Sequence, residues 1–230
     1  MPTKIIETEN LRLAVCPEAG ASIVSFEMAM GDAWVPIMRP TPPDALADLR
    51  TDDMACFVLA PYSNRIRDAR FRFKGKEFQL RSNFSDGTAI HGDVWKRPWK
   101  LAGEGTEFLE FTFDLAEFSD VNFPFPFQVR LRYQLDGNTL DSTIELTNSG
   151  NEPMPAGFGF HPYFRRTLID SQEDVQLEAR VGGVYPGETQ LPTGSPVLPA
   201  PHQNYSGLRP IGEPDLDHCF SGWNGSATVF

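Results

Sequence analysis

Residues 127–146 read FQVRLRYQLDGNTLDSTIEL, a stretch in which large apolar and polar side chains alternate on both sides of a turn. A period of two places Phe127 and every second residue after it on one face of a strand, because successive strand side chains point to opposite faces. The sequence Asp136-Gly137-Asn138 between the two runs is typical of a tight β-turn. The stretch therefore predicts an antiparallel hairpin with one apolar face.

Alternation of this kind extends over most of the chain. A second hairpin turns at residues 74–76, and further alternating runs lie at 11–15, 24–28, 109–115 and 175–181. Helical periodicity is almost absent, apart from a short turn in which Asp44 could cap residues 45–49. We therefore predict an all-β fold, a large antiparallel β-sandwich.

The domain organisation is expected to be simple. Residues 184–214 are rich in Pro, Gly and Ser and show little alternation, which favours a long surface loop over a linker between domains. The sequence shows no convincing internal repeat and no run of like charges. All-β sandwiches of this length commonly form one unit, so we predict a single domain over residues 1–230.

The composition argues against several classes of partner. The 230 residues carry 20 Lys and Arg against 31 Asp and Glu, a formal charge of −11 at pH 7. Affinity for nucleic acid comes mainly from clustered basic side chains, so we expect no nucleic-acid partner. No run approaches the roughly 18 consecutive apolar residues of a membrane span, and residues 1–7 lack the apolar core of a signal peptide. We expect a cytoplasmic protein that has no membrane partner.

The cysteines and histidines do not form a recognisable metal or disulfide pattern. Cys16, Cys56 and Cys219 are an odd number at wide spacings, and the four histidines are equally dispersed. No Gly-rich phosphate-binding loop and no serine nucleophile motif is present. The sequence thus predicts reduced thiols, no metal site and no cofactor.

Polar residues concentrate at four places where the alternation breaks, and the first two carry an amide, a guanidinium and an imidazole. In residues 61–67, Asn64 stands beside Arg65, a pair that supplies fixed donors for a hydroxyl-rich ligand. In residues 83–93, His91 stands at a strand end where it could approach a ligand and exchange a proton. Taken alone, each segment is better explained structurally, as a surface turn or as a satisfied histidine.

The third segment, AGFGFHPYF at residues 156–164, gives the sharpest local signal in the sequence. Its glycines allow close packing, Pro162 restricts His161 to an extended conformation, and the aromatic residues could wall a pocket around one imidazole. We therefore favour a functional role for His161 over a core position.

The fourth segment, residues 215–220, places Asp215 and Asp217 close to a histidine. A turn would explain both carboxylates equally well. The adjacent His218 and Cys219 point opposite ways on a strand, so a metal pair is not expected there.

Together and in this order, the four segments resemble the aldose 1-epimerase family, the galactose mutarotase-like enzymes. The resemblance covers the chain from about Leu11 to its end. It rests on Asn-Arg-Ile at 64–66 before Phe-x-Phe-x-Gly-Lys at 71–76, Asn83 followed by His-Gly at 91–92, Gly-x-His-Pro-Tyr-Phe at 159–164, and Leu-Asp-x-Cys-Phe-x-Gly-Trp at 216–223. The resemblance implies a galactose mutarotase-like supersandwich, an open groove over one sheet, and a cofactor-free reaction on a small-molecule aldose.

The family's functional residues match five positions of this chain. The resemblance implies that Asn64 and Arg65 bind sugar hydroxyls and that His91 binds or polarises the sugar near its ring oxygen. It also implies that His161 is the general acid that protonates this oxygen and that Asp217 holds hydroxyls. Mutarotation needs such an acid together with a base that removes the proton of the anomeric hydroxyl.

The base is where the chain departs from the family. The family's glutamate lies on a strand beyond the Leu-Asp-x-Cys-Phe element, whereas the last glutamate here, Glu213, precedes Asp217. Residues 226–230 resemble the start of a strand, and the sequence ends at Phe230. We therefore assign no base. Either the fold is C-terminally incomplete, with its closing strands and the base missing, as we expect, or another group acts as the base.

Three other functions remain open at this point. A mutarotase for hexose 6-phosphates would need a cationic pocket, for which Arg67, Arg70 and Arg72 are only suggestive. A non-catalytic carbohydrate-binding module could use the same aromatic walls to stack on a pyranose. A glycoside hydrolase or lyase would need two carboxylates about 5–10 Å apart, and only Asp215 and Asp217 are candidates. The preferred sugar and the oligomeric state are also open.

Overall fold

The structure is a computed structural model that describes residues 3–168, 174–187, 190–212 and 216–230. It is nearly all β, which confirms the predicted fold class. The chain divides into two compact units, Met1–Leu168 and Ile169–Phe230. The prediction of a single domain stays a prediction, because compactness does not show whether each unit folds alone.

The first unit contains fourteen of the strands and the one α-helix assigned among the described residues, α1 at Pro43–Ala47. Its strands are β1 Lys4–Glu7, β2 Leu11–Cys16, β3 Ser22–Met30, β4 Ala33–Pro36, β5 Cys56–Leu59, β6 Arg65–Ile66, β7 Arg70–Phe73, β8 Lys76–Gln79, β9 Ala89–Ile90, β10 Lys100–Glu104, β11 Phe108–Asp114, β12 Phe127–Asp136, β13 Thr139–Asn148 and β14 Gly159–Pro162. No helix among the described residues is long and apolar enough to cross a membrane.

Two antiparallel sheets form the sandwich of the first unit. One has the order β1-β2-β3-β5-β14, with β4 also paired to β3, and the other has the order β10-β11-β12-β13. Leu13 and Val58 of the first sheet share one apolar core with Phe111 and Leu131 of the second. Tyr133 is fully buried in this core, and its hydroxyl donates to the Ala21 carbonyl at 3.1 Å. The core therefore contains a polar link between the two layers as well as apolar packing.

The predicted hairpins are confirmed. β12 pairs with β13 up to Asp136 opposite Thr139, and β12 alternates between buried and accessible residues along its length. β7 and β8 pair up to Phe73 opposite Lys76, which places the turn at Lys74 and Gly75. Period-two patterning predicts these strands well because one face of each packs on the apolar interior.

The second unit contains β15 Gln176–Ala179, β16 Gly183–Val184, β17 Tyr205–Pro210, β18 Phe220–Ser221 and β19 Ala227–Val229. β15 lies between β17 and β19, and β16 pairs with β18. The expected strand near the end of the sequence is therefore present as β19. The expected loop over residues 184–214 is only partly correct, because it contains β17. Five of the six residues of β17 are exposed, so this strand has no apolar alternation to read.

The predicted helix cap is also wrong in detail. Asp44 lies inside the first turn of α1, whose preceding residue is Pro42, and no side chain caps the helix. The Asp44 carboxylate instead accepts a hydrogen bond from Arg50 Nη2 at 2.7 Å. The carboxylate that the sequence pattern assigned to a helix cap thus pairs with an arginine six residues further along the chain.

Two strand pairings position the residues of interest. β5 is buried along its whole length, so it has no solvent-facing side. Val58 points into the sandwich core, while Phe57 and Leu59 belong to a separate apolar cluster with Trp95. β14 pairs with β5 so that His161 lies opposite Phe57 and Phe160 lies opposite Val58. The pairing therefore places His161 on the face of the sheet that points away from the sandwich core.

We predict that Gly92 cannot be replaced without moving this region. Gly92 has φ +80°, and a Cβ atom built there would lie 1.8 Å from the Ala60 carbonyl oxygen. Gly92→Ala should therefore lower the free energy of unfolding by about 3 kcal/mol or more in urea denaturation.

Gly75→Ala is the matched control. Gly75 has a φ of +77°, and no heavy atom lies within 4 Å of its added Cβ. In this variant the free energy of unfolding should fall only by the cost of backbone strain, about 1–2 kcal/mol. Equal losses for the two variants would contradict the steric explanation.

Candidate active site

The structure brings the two predicted histidines together. His91 follows β9, His161 lies in β14, and their ring centroids are 5.3 Å apart with the ring planes at 77°. Both side chains are partly buried. Two imidazoles at this separation can contact the same small ligand group. Together they can therefore bind and exchange protons at one ligand, which neither histidine could do alone.

Aromatic rings surround the two imidazoles. Phe57 stacks on His161 with centroids 4.7 Å apart and lies edge-on to His91 at 5.8 Å. Trp95 packs against Phe57 at 5.2 Å and against His91 at 5.8 Å. Tyr163 lies 4.8 Å from the His161 ring. Apolar faces around a few polar groups are typical of a small-molecule site.

Asn64 and Arg65 share a corner of the structure with His91. β6 pairs with β9, and the His91 backbone N–H donates to the Asn64 carbonyl at 2.9 Å. Arg65 Nη1 donates to the side-chain oxygen of Asn64 at 3.3 Å. Both Asn64 and His91 have positive φ, +53° and +62°. Positive φ is uncommon for residues other than glycine and persists where the surroundings enforce it, often at functional sites.

The loop at residues 84–88, part of the second polar segment of the sequence, holds Arg65 in place. Asp86 Oδ2 accepts from Arg65 Nε at 3.0 Å, and the Phe84 ring lies 5.2 Å from the guanidinium carbon. Asp86 Oδ1 accepts from both the backbone N–H and the hydroxyl of Thr88. Hydrogen bonds from Thr88 and then from Arg65 hold the pKa of Asp86 below its ordinary value. The turn around Asp86 is visible in the sequence, but its pairing with Arg65 is not.

Two further polar residues anchor the segment that carries His91. Asp93 accepts from the backbone N–H of Asn122 at 2.6 Å and from Arg97 Nη2 at 2.9 Å. Asn83 forms two hydrogen bonds with the main chain of Ile90, at 2.7 and 3.0 Å. Asn83 therefore acts as a structural brace next to His91.

Burial and nearby positive charge keep His91 neutral. Burial, and after it the charges of His161, Arg65 and Lys96, together lower the pKa of His91 from 6.5 to about 4. Its Nδ1 atom is buried and has no hydrogen-bond partner among the described residues. A buried polar atom without a partner is costly, and functional sites are among the places where such atoms persist.

Asp217, the remaining predicted site residue, belongs to the second unit. It is exposed and lies outside regular structure shortly before β18. Its role as a sugar ligand stays a prediction. Asp215, its proposed carboxylate partner for glycoside hydrolysis, and Glu213 lie outside the described residues. Over the ranges that the structure describes, no group of three or more His, Cys, Asp or Glu could hold a metal ion.

A groove of about 410 Å³ elsewhere in the first unit is a weaker candidate. It lies over the outward-facing side chains of β10–β13 and contains neither candidate histidine. Arg130 on its wall pairs with Glu110 at 2.7 Å, and Asp114 accepts from Gln128 at 2.7 Å. These polar groups of the groove already pair with protein groups. In the histidine site, by contrast, His91 has an unpaired ring nitrogen among the described residues and a lowered pKa.

Comparisons with known proteins point to one family. A model of the family described as Aldose 1-epimerase matches residues 4–230. The chain is 28% identical to the uncharacterized protein YphB of Escherichia coli, over 84% of this chain and 63% of that protein. It is 29% identical to the uncharacterized protein YihR of E. coli, over 71% of this chain and 53% of that protein. The chain thus spans less than two thirds of the length of both relatives.

Solved structures show the same fold. An E. coli K12 protein provisionally named an aldose 1-epimerase matches with a TM-score of 0.82 and 25% identity, over 100% of this chain and 73% of that one. A galactose mutarotase-like protein from Clostridium acetobutylicum matches with a TM-score of 0.74 and 23% identity, over 86% and 62% of the two chains. The β-sandwich is therefore that of the galactose mutarotase-like proteins.

We predict that His91 titrates well below an ordinary histidine. Its ring signals in NMR spectra should show a midpoint near pH 4. Because the unfolded chain binds this proton near pH 6.5, the stability that neutral His91 provides is complete above pH 6.5 and is lost as the pH falls through about 4. Partial exposure limits this loss to about 1–2 kcal/mol.

Two variants check the cause of this shift. His161→Asn should raise the pKa of His91 while leaving it below 6.5, because burial, the larger cause, remains. His91→Asn should show a smaller fall in unfolding free energy between pH 7 and pH 4. A His91 midpoint near 6.5 in the folded protein would contradict the described environment.

Proposed function

Since the chain belongs to the aldose 1-epimerase family, we propose that it is a mutarotase that interconverts the α and β anomers of a free hexose such as glucose or galactose. One observation carries the proposal: two histidines from separate parts of the chain lie 5.3 Å apart, ring to ring, beside stacked aromatic rings. That arrangement suits a small polar ring that needs proton transfer at one oxygen and apolar contact on its carbon faces.

Protons are the only groups that the protein has to transfer in this reaction. A base takes the proton of the anomeric hydroxyl while an acid delivers a proton to the ring oxygen, and the bond between that oxygen and C1 breaks. The open aldehyde turns about the C1–C2 bond, and the reverse steps close the ring on the other face of C1. Acid or base catalysis by a positioned side chain typically contributes about 10²–10⁴-fold.

The two histidines take different roles in this proposal. His91 is neutral near pH 7 because its pKa is about 4, so it serves as a hydrogen-bonding group that holds or polarises the sugar near its ring oxygen. His161 is then the proton donor to that oxygen.

Asn64 and Arg65 are proposed to bind sugar hydroxyls. The Arg65 side chain is only 15% exposed, and Asp86 and Asn64 fix its direction. Since Asp86 balances the charge of Arg65, this corner favours neutral hydroxyls over an anionic group. Two of the three arginines considered for a phosphate, Arg70 and Arg72, pair with Glu77 on the β7–β8 hairpin, which weakens the case for a hexose 6-phosphate.

Two roles are left to consider, that of Asp217 and that of the general base. We propose Asp217 as a further hydroxyl ligand, on the match of its motif to the family. No base is assigned, because no glutamate of this sequence occupies the family's position. We therefore expect the rate of mutarotation by this chain to depend on the proposed acid and on the residues that bind the sugar.

We predict that the chain accelerates the change in optical rotation of freshly dissolved α-D-glucose or α-D-galactose. His161→Asn should reduce this acceleration by about 10²-fold or more, because it removes the proton donor. His202→Asn, an exposed histidine of the second unit, is the control and should keep the full rate. Sugar binding without acceleration by the unmodified chain would indicate a carbohydrate-binding module and contradict the proposal.

We also predict that Arg65→Met acts mainly on substrate binding. Loss of a ligand to hydroxyls that are unchanged during the reaction should raise KM by about 10-fold with little change in kcat. Arg67→Met, which removes an exposed neighbour, should alter neither constant. A large fall in kcat at unchanged KM would place Arg65 in the chemical step instead.

A further inference from the structure

Arg39 borders the candidate site and has no part in the mechanism above. Its guanidinium carbon lies 3.5 Å from the centroid of the Tyr163 ring. The Tyr163 ring in turn lies 4.8 Å from the His161 ring, tilted by 30°. The three side chains form a continuous stack that runs from a fixed positive charge to the proposed proton donor.

The guanidinium of Arg39 is held by main-chain oxygens. Nε and Nη2 donate to the Met54 carbonyl at 3.0 and 2.9 Å, and Nη2 also donates to the Asp52 carbonyl. In the part of the chain that the structure describes, Arg39 forms no ion pair. A planar group anchored in this way has little freedom to rotate, so it gives Tyr163 a rigid surface to stack on.

Arg39 also fixes the main chain of Tyr163. The Arg39 backbone N–H donates to the Tyr163 carbonyl at 2.9 Å, and the Tyr163 N–H donates to the Ala55 carbonyl at 2.9 Å. Met38 and Phe164 form a β-bridge beside this contact. The main chain of Tyr163, just after β14, is thus held on two sides. Arg39 provides one of these contacts through its main chain, and its side chain supports the Tyr163 ring.

The second neighbour of the His161 ring is better protected. Phe57 stacks on His161 at 4.7 Å with the planes only 18° apart, is 2% exposed, and is backed by Trp95. Tyr163 is partly exposed and therefore depends more on outside support. Of these two faces of the His161 ring, the one that Tyr163 and Arg39 cover is therefore the less protected.

We propose that Arg39 is a positioning residue for His161: by fixing Tyr163, it holds the imidazole in the orientation from which the proton reaches the sugar ring oxygen. The kinetic part of this inference rests on the proposed mutarotase function, whereas the structural part does not. A displacement of about 1 Å in a catalytic group can cost about 10²-fold in rate.

The experiment compares Arg39→Met with Arg12→Met. Arg12 is a matched control because its guanidinium also lies over an aromatic ring, with its carbon 4.3 Å from the centre of the Trp34 ring. Arg12 pairs with Glu7 and does not contact the histidines. Arg39→Met should lower kcat about 10–100-fold and change KM less than twofold. It should also shift the His161 ring protons in NMR spectra, because the ring currents of Tyr163 change. Arg12→Met should change neither readout.

A double-mutant cycle tests whether Arg39 acts through Tyr163. Tyr163→Leu should reproduce the loss in kcat, and adding Arg39→Met to it should cost less than twofold more. Arg39→Lys, which keeps the charge and loses the planar fork, should give an intermediate rate and serves if Arg39→Met does not fold. Tyr163→Phe, which keeps the ring, should retain most of the rate.

Two results would overturn the inference. One is a His161 spectrum that is unchanged in Arg39→Met, and the other is an additive loss in the double variant. If the unmodified chain shows no mutarotation, the proposed function fails, and the NMR comparison still decides whether Arg39 orients His161.

Discussion

The pairing of β14 with β5 is the constraint on which the rest of the site depends. In this register His161 lies opposite Phe57, and Phe160 lies opposite Val58. Phe160 and Val58 pack with the sandwich core on one side of the sheet, while Phe57 and His161 stack on the other. Because strand side chains alternate, a slip of one residue would send the imidazole into the core and Phe160 towards the site. Core packing therefore fixes the position of the proposed acid.

A second and independent arrangement brings His91 to the same place. The close approach of Gly92 to Ala60 and the hydrogen bond from His91 to Asn64 fold the segment so that its imidazole faces His161. The cost of this arrangement is visible in a positive φ at His91 and in a buried ring nitrogen without a described partner. Backbone strain and an unpaired buried nitrogen at one residue are features that cluster at functional sites.

The sequence predicts the parts of the structure that have one buried and one accessible face. β12 is the clearest example, since its alternation follows the contrast between core and solvent. β5 has no such contrast because both of its faces are buried, so the position of Phe57 beside the histidines could not be read from its uniformly apolar run. β17 fails for the opposite reason, as nearly all of it is exposed.

Local composition likewise marks some site residues and not others. The glycines and aromatic residues around His161 and the glycine after His91 are neighbours in sequence, so the two imidazoles could be singled out as candidates. Asp86 and Arg39 could not, because their partners Arg65 and Tyr163 are distant along the chain. The sequence thus identified the histidines proposed for the chemistry, but it did not identify the pairings of Asp86 and Arg39 that hold neighbouring site residues in place.

The most direct measurement is an NMR titration of the histidine ring signals with D-galactose or D-glucose. If one sugar occupies a site formed by both imidazoles, the signals of His91 and His161 shift together with a single Kd, and those of His202 stay unchanged. Sugar binding seen by calorimetry while both ring signals remain fixed would contradict the account, because the ligand would then lie elsewhere on the protein.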